Sequence, residues 1–474
     1  IAIGYDSLTA NTTDNNTAVG YQSLKSNTTG ASNTSVGYNS LTANTAGQLN
    51  VAVGDNVLKD NTTGNNNTAV GGHSMLRNQT GIENTAVGTS AFEDNISGDN
   101  NVAVGRSALA SNTTADANTA VGRSALISNT TGTSNVALGA YALDANTTAS
   151  NNTAIGLGSL GANTVGYNNN AVGAYALDAN TSGVTNNAFG TNALTDNTTG
   201  GQNCAFGHQA LGDNTTAGNN SAFGFRALRL NTTGASNVAV GTFALYANTT
   251  ADNNTAIGYN SLVSNTTGLS NVAVGFETLK DNTTGGYNVA LGEFALVSNT
   301  TGNKNTALGR NSLVNNTQGN ENVSIGAQSM LDNTTGSANV AIGVEALDNN
   351  TTASWNVAIG YESLTQNTTG NQNVAVGRSA LRDNSTASNN TAVGPQALLV
   401  NTTGANNSAL GYRALKENTT ASHNTAIGYE SLTSNTTGAN NVSVGYQALK
   451  ANTTASYNTA VGWQAMLNNQ TGTN

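Results

Sequence analysis

The sequence contains few of the residues on which most enzymes and nucleic-acid-binding proteins depend. Charged residues make up 8% of the 474 residues, and there are three histidines, one cysteine and one proline. A single cysteine excludes an internal disulfide framework. The net charge of −10 is spread along the chain without acidic or basic blocks, which argues against nucleic acid as a partner. No apolar run approaches the roughly 20 residues that cross a bilayer, so we predict no membrane-spanning segment.

The few histidines and carboxylates form no pattern that is typical of catalysis or metal binding. His73, His208 and His423 occupy three different places in the repeat described below. Acidic residues lie singly at variable positions and do not form the repeated aspartate motif of calcium-binding β-rolls. We therefore expect no catalytic activity, no metal site and no cofactor. We interpret Cys204 as a small core or strand residue rather than a reactive thiol.

What the sequence does contain is one short unit repeated from end to end. The segment from Asn16 to Gly20 reads Asn-Thr-Ala-Val-Gly, and its glycine returns with a constant 17-residue period as far as Gly462. One further copy ends at Gly4, where the spacing to Gly20 is one residue shorter, which makes 28 copies. A constant period of this kind predicts a repeat architecture that grows by stacking. Below, positions within a repeat are counted from this glycine, which is position 0.

The composition of the repeat predicts a β-solenoid. No apolar residues recur at helical spacing, and short β-branched runs bounded by glycine and asparagine are typical of strands. We predict two short strands per repeat, Asn-Thr-Ala-Val and Gln-Ser-Leu, with a bend at the glycine and a turn at Asn-Thr-Thr-Gly. The fold class is therefore all-β: a parallel β-solenoid of about 28 coils, one per 17-residue repeat, continuous over residues 1–474. Because both ends fall inside a repeat without capping segments, we expect a segment of a longer fibre.

Two columns of asparagine are the most regular feature after the glycine. One lies at position −4 in every complete copy, and the other lies at position +7. An inward-facing asparagine can bond to the backbone of its own turn and to its equivalent one coil away, at the strand spacing of about 4.8 Å. We predict that both columns are structural ladders. Their first members are Asn16, Asn33, Asn50, Asn27, Asn44 and Asn61.

The remaining positions suggest a core, a corner and a contact surface. We predict that the apolar residues at −1 and +4 form the core and that the glycine forms a corner with positive φ. Small residues at −2 and +3 predict a smooth stripe along which another chain can approach, and the variable positions +1 and +2 are predicted to face solvent. The first complete repeats supply the representatives Gly20, Gly37, Gly54, Val19, Val36, Val53, Leu24, Leu41 and Leu58.

Three further patterns leave alternatives open. Phe189, Phe206 and Phe223 occupy position −1 in successive repeats, where they either widen the solenoid or stack as an aromatic ladder. The recurring Asn-x-Thr/Ser at +7 is formally a glycosylation acceptor, although turn chemistry and ladders are the favoured interpretation. The Thr-Thr pairs at +8 and +9 suggest a regular threonine face of the kind that can bind ice.

The repeat resembles a known family of surface repeats. The segment Asn441–Leu449 reads Asn-Val-Ser-Val-Gly-Tyr-Gln-Ala-Leu and is followed by Asn452-Thr453-Thr454. It is similar to the YadA-like, or haemagglutinin-type, head repeats of trimeric autotransporter adhesins, and to related arrays in tail-fibre-like proteins of phages and bacteria. The resemblance covers essentially the whole chain. It implies a left-handed parallel β-roll, three chains side by side, and a location on a cell or virion surface.

From these observations we predict a structural and adhesive protein without catalysis. It would form the rigid shaft or head of an extracellular or virion fibre and would self-associate, as a homotrimer or a filament. A host-surface glycan or protein is a candidate partner. The alternatives are a single-chain solenoid filament and a binding module with a repetitive threonine and asparagine face for ice or glycans.

Overall fold

The computed structural model describes residues 1–472 and shows an all-β chain. It contains 28 short parallel strands, one per repeat, which form a β-solenoid whose turn is one repeat long. In the described residues, no helix is long and apolar enough to span a membrane. The strands are β1 (Ala2–Ile3), β2 (Thr17–Val19), β3 (Thr34–Val36), β4 (Val51–Val53), β5 (Thr68–Val70), β6 (Thr85–Val87), β7 (Val102–Val104), β8 (Thr119–Val121), β9 (Val136–Leu138), β10 (Thr153–Ile155), β11 (Asn170–Val172), β12 (Asn187–Phe189), β13 (Cys204–Phe206), β14 (Ser221–Phe223), β15 (Val238–Val240), β16 (Thr255–Ile257), β17 (Val272–Val274), β18 (Val289–Leu291), β19 (Thr306–Leu308), β20 (Val323–Ile325), β21 (Val340–Ile342), β22 (Val357–Ile359), β23 (Val374–Val376), β24 (Thr391–Val393), β25 (Ser408–Leu410), β26 (Thr425–Ile427), β27 (Val442–Val444) and β28 (Thr459–Val461).

The chain divides into two compact units, Ile1–Asn237 and Val238–Asn474. The first unit contains β1–β14 and the second contains β15–β28. Within each unit every strand pairs in parallel with the next strand of the sequence, and equivalent residues of successive repeats lie opposite each other. The alanines of β7 and β8, for example, are partners. The 17-residue period is therefore the register of the sheet, as the sequence predicts.

The glycine at position 0 forms the corner that ends each strand. Gly20 has a φ of +138° and Gly37 a φ of +142°, values that side-chain-bearing residues rarely adopt. The position is also crowded, because a Cβ added to Gly71 would lie 2.7 Å from the carbonyl carbon of Gly88 in the next coil. Both the backbone angle and the close approach of successive coils require glycine here. The predicted role of the glycine column is confirmed.

The predicted second strand, Gln-Ser-Leu, is wrong. Positions +1 to +6 form a series of turns, because Gln22 and Leu24 have φ values of +53° and +50°. The left-handed residues interrupt strand geometry, but the backbone remains bonded to neighbouring coils. The Gln22 N–H donates to Tyr5 O at 2.9 Å, and the Leu24 N–H donates to Ser40 O at 3.1 Å. Coil-to-coil bonding therefore extends well beyond the three-residue strands.

The predicted core is half right. The +4 column is buried in every internal coil, and Leu24, Leu41 and Leu58 have no solvent exposure. The −1 column, which includes Val19 and Val53, lies instead on the outer side of the strand. The reason is the two-residue alternation of a strand, which places positions −3 and −1 on one face and position −2 on the other.

The small residues at −2 and +3 fill the interior and do not form the predicted outer stripe. Ala18, at −2, is fully buried, and so is Ser23, at +3. Ser23 Oγ donates to the hydroxyl of Ser35, at −2 of the next coil, over 2.7 Å. The strand and the turn segment thus approach closely: position −2 is alanine or serine in every repeat, and position +3 is alanine or serine except at the buried Val57 and Thr278. Larger apolar residues at −1, such as Val36, are consequently placed outside.

Candidate functional site: asparagine ladders and outward strand face

The asparagines at +7 form a ladder along the interior. Asn27 Nδ2 donates to Asn11 Oδ1 of the preceding coil at 2.7 Å and to Gly30 O of its own turn at 2.8 Å. Asn44 Nδ2 donates in turn to Asn27 Oδ1 at 2.7 Å. Each amide therefore closes its own turn and links it to the preceding coil. In a buried environment such a chain of bonds is costly to break.

The asparagines at −4 form a second ladder beside the first. Asn16 Nδ2 donates to Gly30 O at 2.9 Å, so this carbonyl accepts bonds from both ladders. Asn16 Oδ1 accepts the backbone N–H of Asn33 in the next coil, also at 2.9 Å. The six asparagines chosen from the sequence are all buried, so the predicted ladders are confirmed. These residues are Asn16, Asn33, Asn50, Asn27, Asn44 and Asn61.

Two further sets of side-chain bonds are not apparent from the sequence. Position −6 holds asparagine, aspartate or serine in many repeats, and Asn65 Oδ1 accepts the backbone N–H of Gln48 at 2.8 Å. Threonine at +8 donates its hydroxyl to the next coil, as from Thr28 Oγ1 to Thr45 O at 3.0 Å. The residue type at −6 varies between repeats, which hides its shared role as an acceptor. The only signal would have been the short polar side chains common to this position.

The outward strand face, formed by positions −3 and −1 of every strand, is the candidate functional site. Position −1 is valine, isoleucine, leucine or phenylalanine in all 28 repeats, and not one of these side chains is buried. Position −3 is threonine or valine in most repeats, and neither column contains a charged residue, although the chain has 40. Leu138 on this face is 44% exposed, whereas Leu143 in the same coil is completely buried. Each unit thus presents an uncharged sheet face on which an apolar column at −1 lies beside a mixed column of valine, threonine and a few other uncharged residues at −3.

Exposed aromatic side chains occupy position +1, just after the glycine corner, in several coils. Tyr5, Tyr21 and Tyr38 stack with ring centroids 5.4 and 5.2 Å apart. In the second unit Tyr429 and Tyr446 stack at 5.2 Å. The predicted exposure of the +1 column is confirmed at these positions, since Tyr21, Tyr38 and Tyr446 are all exposed. Their rings form short stacks on the surface of the coils.

The ionisable residues do not assemble into a metal-binding cluster in residues 1–472. The most perturbed carboxyl group is that of Asp348, at position +5. Burial, with the nearby charges of Asp332 and Glu345, raises the pKa of Asp348 to about 6, and its Oδ1 is buried without a hydrogen-bond partner. These three carboxylates repel each other and make no convergent site. Cys204 lies half-buried at position −3 of the outward strand face.

The geometry also bears on the threonine and glycosylation alternatives. The +7 asparagines of the internal coils have no exposed side-chain surface, and the Nδ2 atom that would carry a glycan already donates two hydrogen bonds, as in Asn61. The folded coils therefore leave no room for a glycan on this column. A second set of Asn-x-Thr/Ser asparagines, such as Asn66 and Asn151, is exposed. At +8 the threonine hydroxyls donate hydrogen bonds to backbone carbonyls of the next coil, so they do not form an array of free hydroxyl groups.

Comparison with known proteins gives no further identification: the chain matches no protein-family model and no curated protein. A β-solenoid with asparagine ladders fits a structural repeat protein.

Proposed function

We propose that this chain is a structural protein whose solenoid associates with further copies of itself to form the shaft or head of a fibre. The observation that carries the proposal is the outward strand face, which has an apolar side chain at −1 and no charge in every repeat of both units. Large contiguous apolar surfaces are uncommon on monomeric soluble proteins and mark interaction sites. A trimer is the arrangement that the resemblance to adhesin head repeats suggests. The same resemblance supports a location on a cell or virion surface.

A second copy of the chain is the partner that this face fits best. Its side chains repeat at the spacing of successive strands, and another copy is the partner whose own side chains share that spacing along the whole face. The absence of charge matters as well. Because the chain carries a net charge of −10, two copies repel each other unless their contact excludes the charged positions, and this face does so.

The energy available from the face is comparable with what association requires. Complete burial of an aliphatic side chain is worth about 1.5–3 kcal/mol, so a side chain that is one-third to one-half exposed retains about 0.5–1.5 kcal/mol. In the first unit the six −1 side chains that are at least about one-third exposed supply about 3–9 kcal/mol; these are Ile3, Val36, Val87, Leu138, Phe206 and Phe223. Association costs about 4–15 kcal/mol in lost freedom. The β-branched residues at −3 add to the favourable side.

The role in the fibre is mechanical and does not involve catalysis. Within each unit the strand pairing, turn bonds and asparagine ladders connect every coil to its neighbours. Such a unit resists bending and holds whatever lies beyond it at a distance. The variable side chains at +1, most of them exposed, offer repeated contacts, each individually weak, whose combined strength grows with their number. A host-surface glycan or protein is the partner that such contacts would serve.

The mass of the protein in solution tests self-association. We expect wild-type protein to sediment as several chains, three in a trimer, each of 47.6 kDa. Replacing Val70, Val87 and Val104 on the outward strand face by glutamate should give single chains, because three buried charges oppose association. A wild-type protein that remains a single chain at tens of micromolar would overturn the proposal and favour a single-chain filament.

A matched control places the same charges elsewhere on the same coils. Thr80, Ser97 and Thr114 lie at the exposed position +9, and glutamate there should leave the mass unchanged. Circular dichroism should show that both triple variants keep the β-structure. If both variants dissociate, net charge rather than the strand face controls association. Thermal hysteresis measured on the same wild-type samples would decide the ice-binding alternative, for which we expect no activity.

A further inference from the structure

Aromatic side chains that occupy the same position in successive coils stack on one another. At position −1 the rings of Phe189, Phe206 and Phe223 lie nearly parallel, with centroids 4.6 and 5.1 Å apart. The aromatic-ladder prediction is therefore confirmed, although Phe206 and Phe223 are exposed and the ladder lies outside the core. In-register strand pairing thus brings identical rings of neighbouring coils into contact.

Three tyrosines at +1 form such a stack in the first unit. Tyr21 lies between Tyr5 and Tyr38, with ring centroids 5.4 and 5.2 Å apart and interplanar angles of 10° and 11°. The backbone fixes this spacing, because Tyr5 O accepts the N–H of Gln22 and Tyr21 O accepts the N–H of Asn39, both at 2.9 Å. All three rings are exposed, so an oxidant in solution can reach them.

A second stack of three tyrosines lies in the second unit. Tyr429 lies between Tyr412 and Tyr446, and both centroid distances are 5.2 Å. Tyr429 and Tyr446 are exposed. Tyrosine occurs at +1 in eight repeats, and six of these eight fall in the two runs of three. The chain therefore places most of its +1 tyrosines where their phenol rings contact each other.

We propose that the two tyrosine stacks are sites of oxidative coupling, at which a peroxidase with hydrogen peroxide joins neighbouring rings as dityrosine. One electron and one proton leave each of two phenols, and together they reduce one hydrogen peroxide to two molecules of water. The unpaired electron of each phenoxyl radical is shared with the ring carbons ortho to oxygen. Two such carbons form one C–C bond, and the shift of each ortho hydrogen to oxygen restores two aromatic phenols.

Proximity favours coupling within a stack over coupling between chains. Groups held in contact react as though their concentration were far above that of any dissolved protein. Centroid distances of 5.2–5.4 Å place neighbouring rings close to contact. Exposed side chains change rotamer within nanoseconds or less, so the ortho carbons meet without a change in the backbone. Each bond closes a loop of one coil and joins coils that no disulfide can join, because the chain has a single cysteine.

Oxidation of the full chain at low concentration with a haem peroxidase and hydrogen peroxide tests this proposal, which does not depend on self-association. We expect dityrosine fluorescence, and mass spectrometry of the digested protein should show Tyr21 joined to Tyr5 or Tyr38 with the loss of two hydrogen atoms. Tyr21→Phe with Tyr429→Phe keeps the rings but removes every adjacent pair of phenols in both stacks. The fluorescence should then fall at least about fivefold, because the remaining tyrosines must meet by diffusion.

The matched control removes two exposed +1 phenols that do not face another tyrosine at that position. Tyr259 stacks on Phe276, and Tyr361 has valine and arginine at +1 in the adjacent coils. Tyr259→Phe with Tyr361→Phe should leave the fluorescence at the wild-type level. Equal yields from the two double variants, or wild-type protein that forms no dityrosine, would overturn the proposal. A product that runs only as covalent dimers and larger species on a denaturing gel would also overturn it.

Discussion

Asn61→Ala removes one rung of the +7 ladder and tests how far the interior amides stabilise a coil. Asn61 Nδ2 donates to Asn44 Oδ1 at 2.8 Å and to Gly64 O at 3.1 Å, and its Oδ1 accepts from Asn78 Nδ2 at 2.7 Å. Gly64 O keeps a second donor, Asn50 Nδ2. Asn44 Oδ1 is left as a buried acceptor without its donor.

The expected cost follows from this inventory. Three lost hydrogen bonds amount to about 3 kcal/mol, and the orphaned buried acceptor adds about 1–2 kcal/mol. The total of about 4–5 kcal/mol corresponds to a roughly thousandfold change in a local opening equilibrium. The effect should be confined to the coils near the substitution, because stacked repeats contact only their neighbours.

Hydrogen–deuterium exchange followed by mass spectrometry is the suitable assay, since a single melting temperature is poorly defined for a long repeat array. Amides of the coils around Asn61 should lose protection by about three orders of magnitude in Asn61→Ala. Thr63→Ala is the matched control, because Thr63 is exposed and alanine occurs naturally at the equivalent Ala46. If Asn61→Ala lowers protection no more than Thr63→Ala does, the amide ladder does not stabilise the fold.

The remaining predictions concern the corner, the core and one carboxyl group. Gly71→Ala should strongly reduce the hydrogen-exchange protection of its coils, because φ is +121° and the new Cβ would clash with Gly88 of the next coil. Gly72→Ala is the matched control and should have little effect, because a Cβ there meets no atom within 4 Å. Leu143→Ala should cost about 2–5 kcal/mol through an interior cavity, and Leu138→Ala less than about 1 kcal/mol in the single chain. Because the folded state binds a proton at Asp348 more tightly than the unfolded state does, local stability should rise as the pH falls through about 6.

Each of these expectations has an outcome that contradicts it. Equal loss of protection in the Gly71 and Gly72 variants would show that the corner does not depend on positive φ. Equal costs at Leu138 and Leu143 would mean that the two leucines share one environment. For Asp348, amide protection corrected for intrinsic exchange should rise as the pH is lowered from about 8 to about 5. Asp348→Asn should raise protection at the higher pH and remove the dependence, so an unchanged profile in that variant would refute the assignment.

The sequence by itself determined the period, the strand at each Asn-Thr-Ala-Val, and the two amide ladders. These are local or strictly periodic properties: a glycine in every repeat marks the corner, and an asparagine that is present in every complete coil indicates an inward position. Because each coil repeats the last, parallel stacking in register follows directly. The ladder predictions for Asn16 and Asn27 needed no knowledge of the cross-section.

The cross-section is what only the tertiary structure decided. Strand alternation shows that positions −3 and −1 share a face, but it does not say which face is inside. Hydrophobicity favours valine for the interior; the close approach of the strand to the turn segment selects Ala18 and Ser23 instead and leaves Val19 outside. The turn segment in turn exists because Gln22 and Leu24 adopt positive φ, which no local propensity of these residues predicts. The distance between two chain segments, set by the closure of the coil, therefore placed the apolar column on the surface.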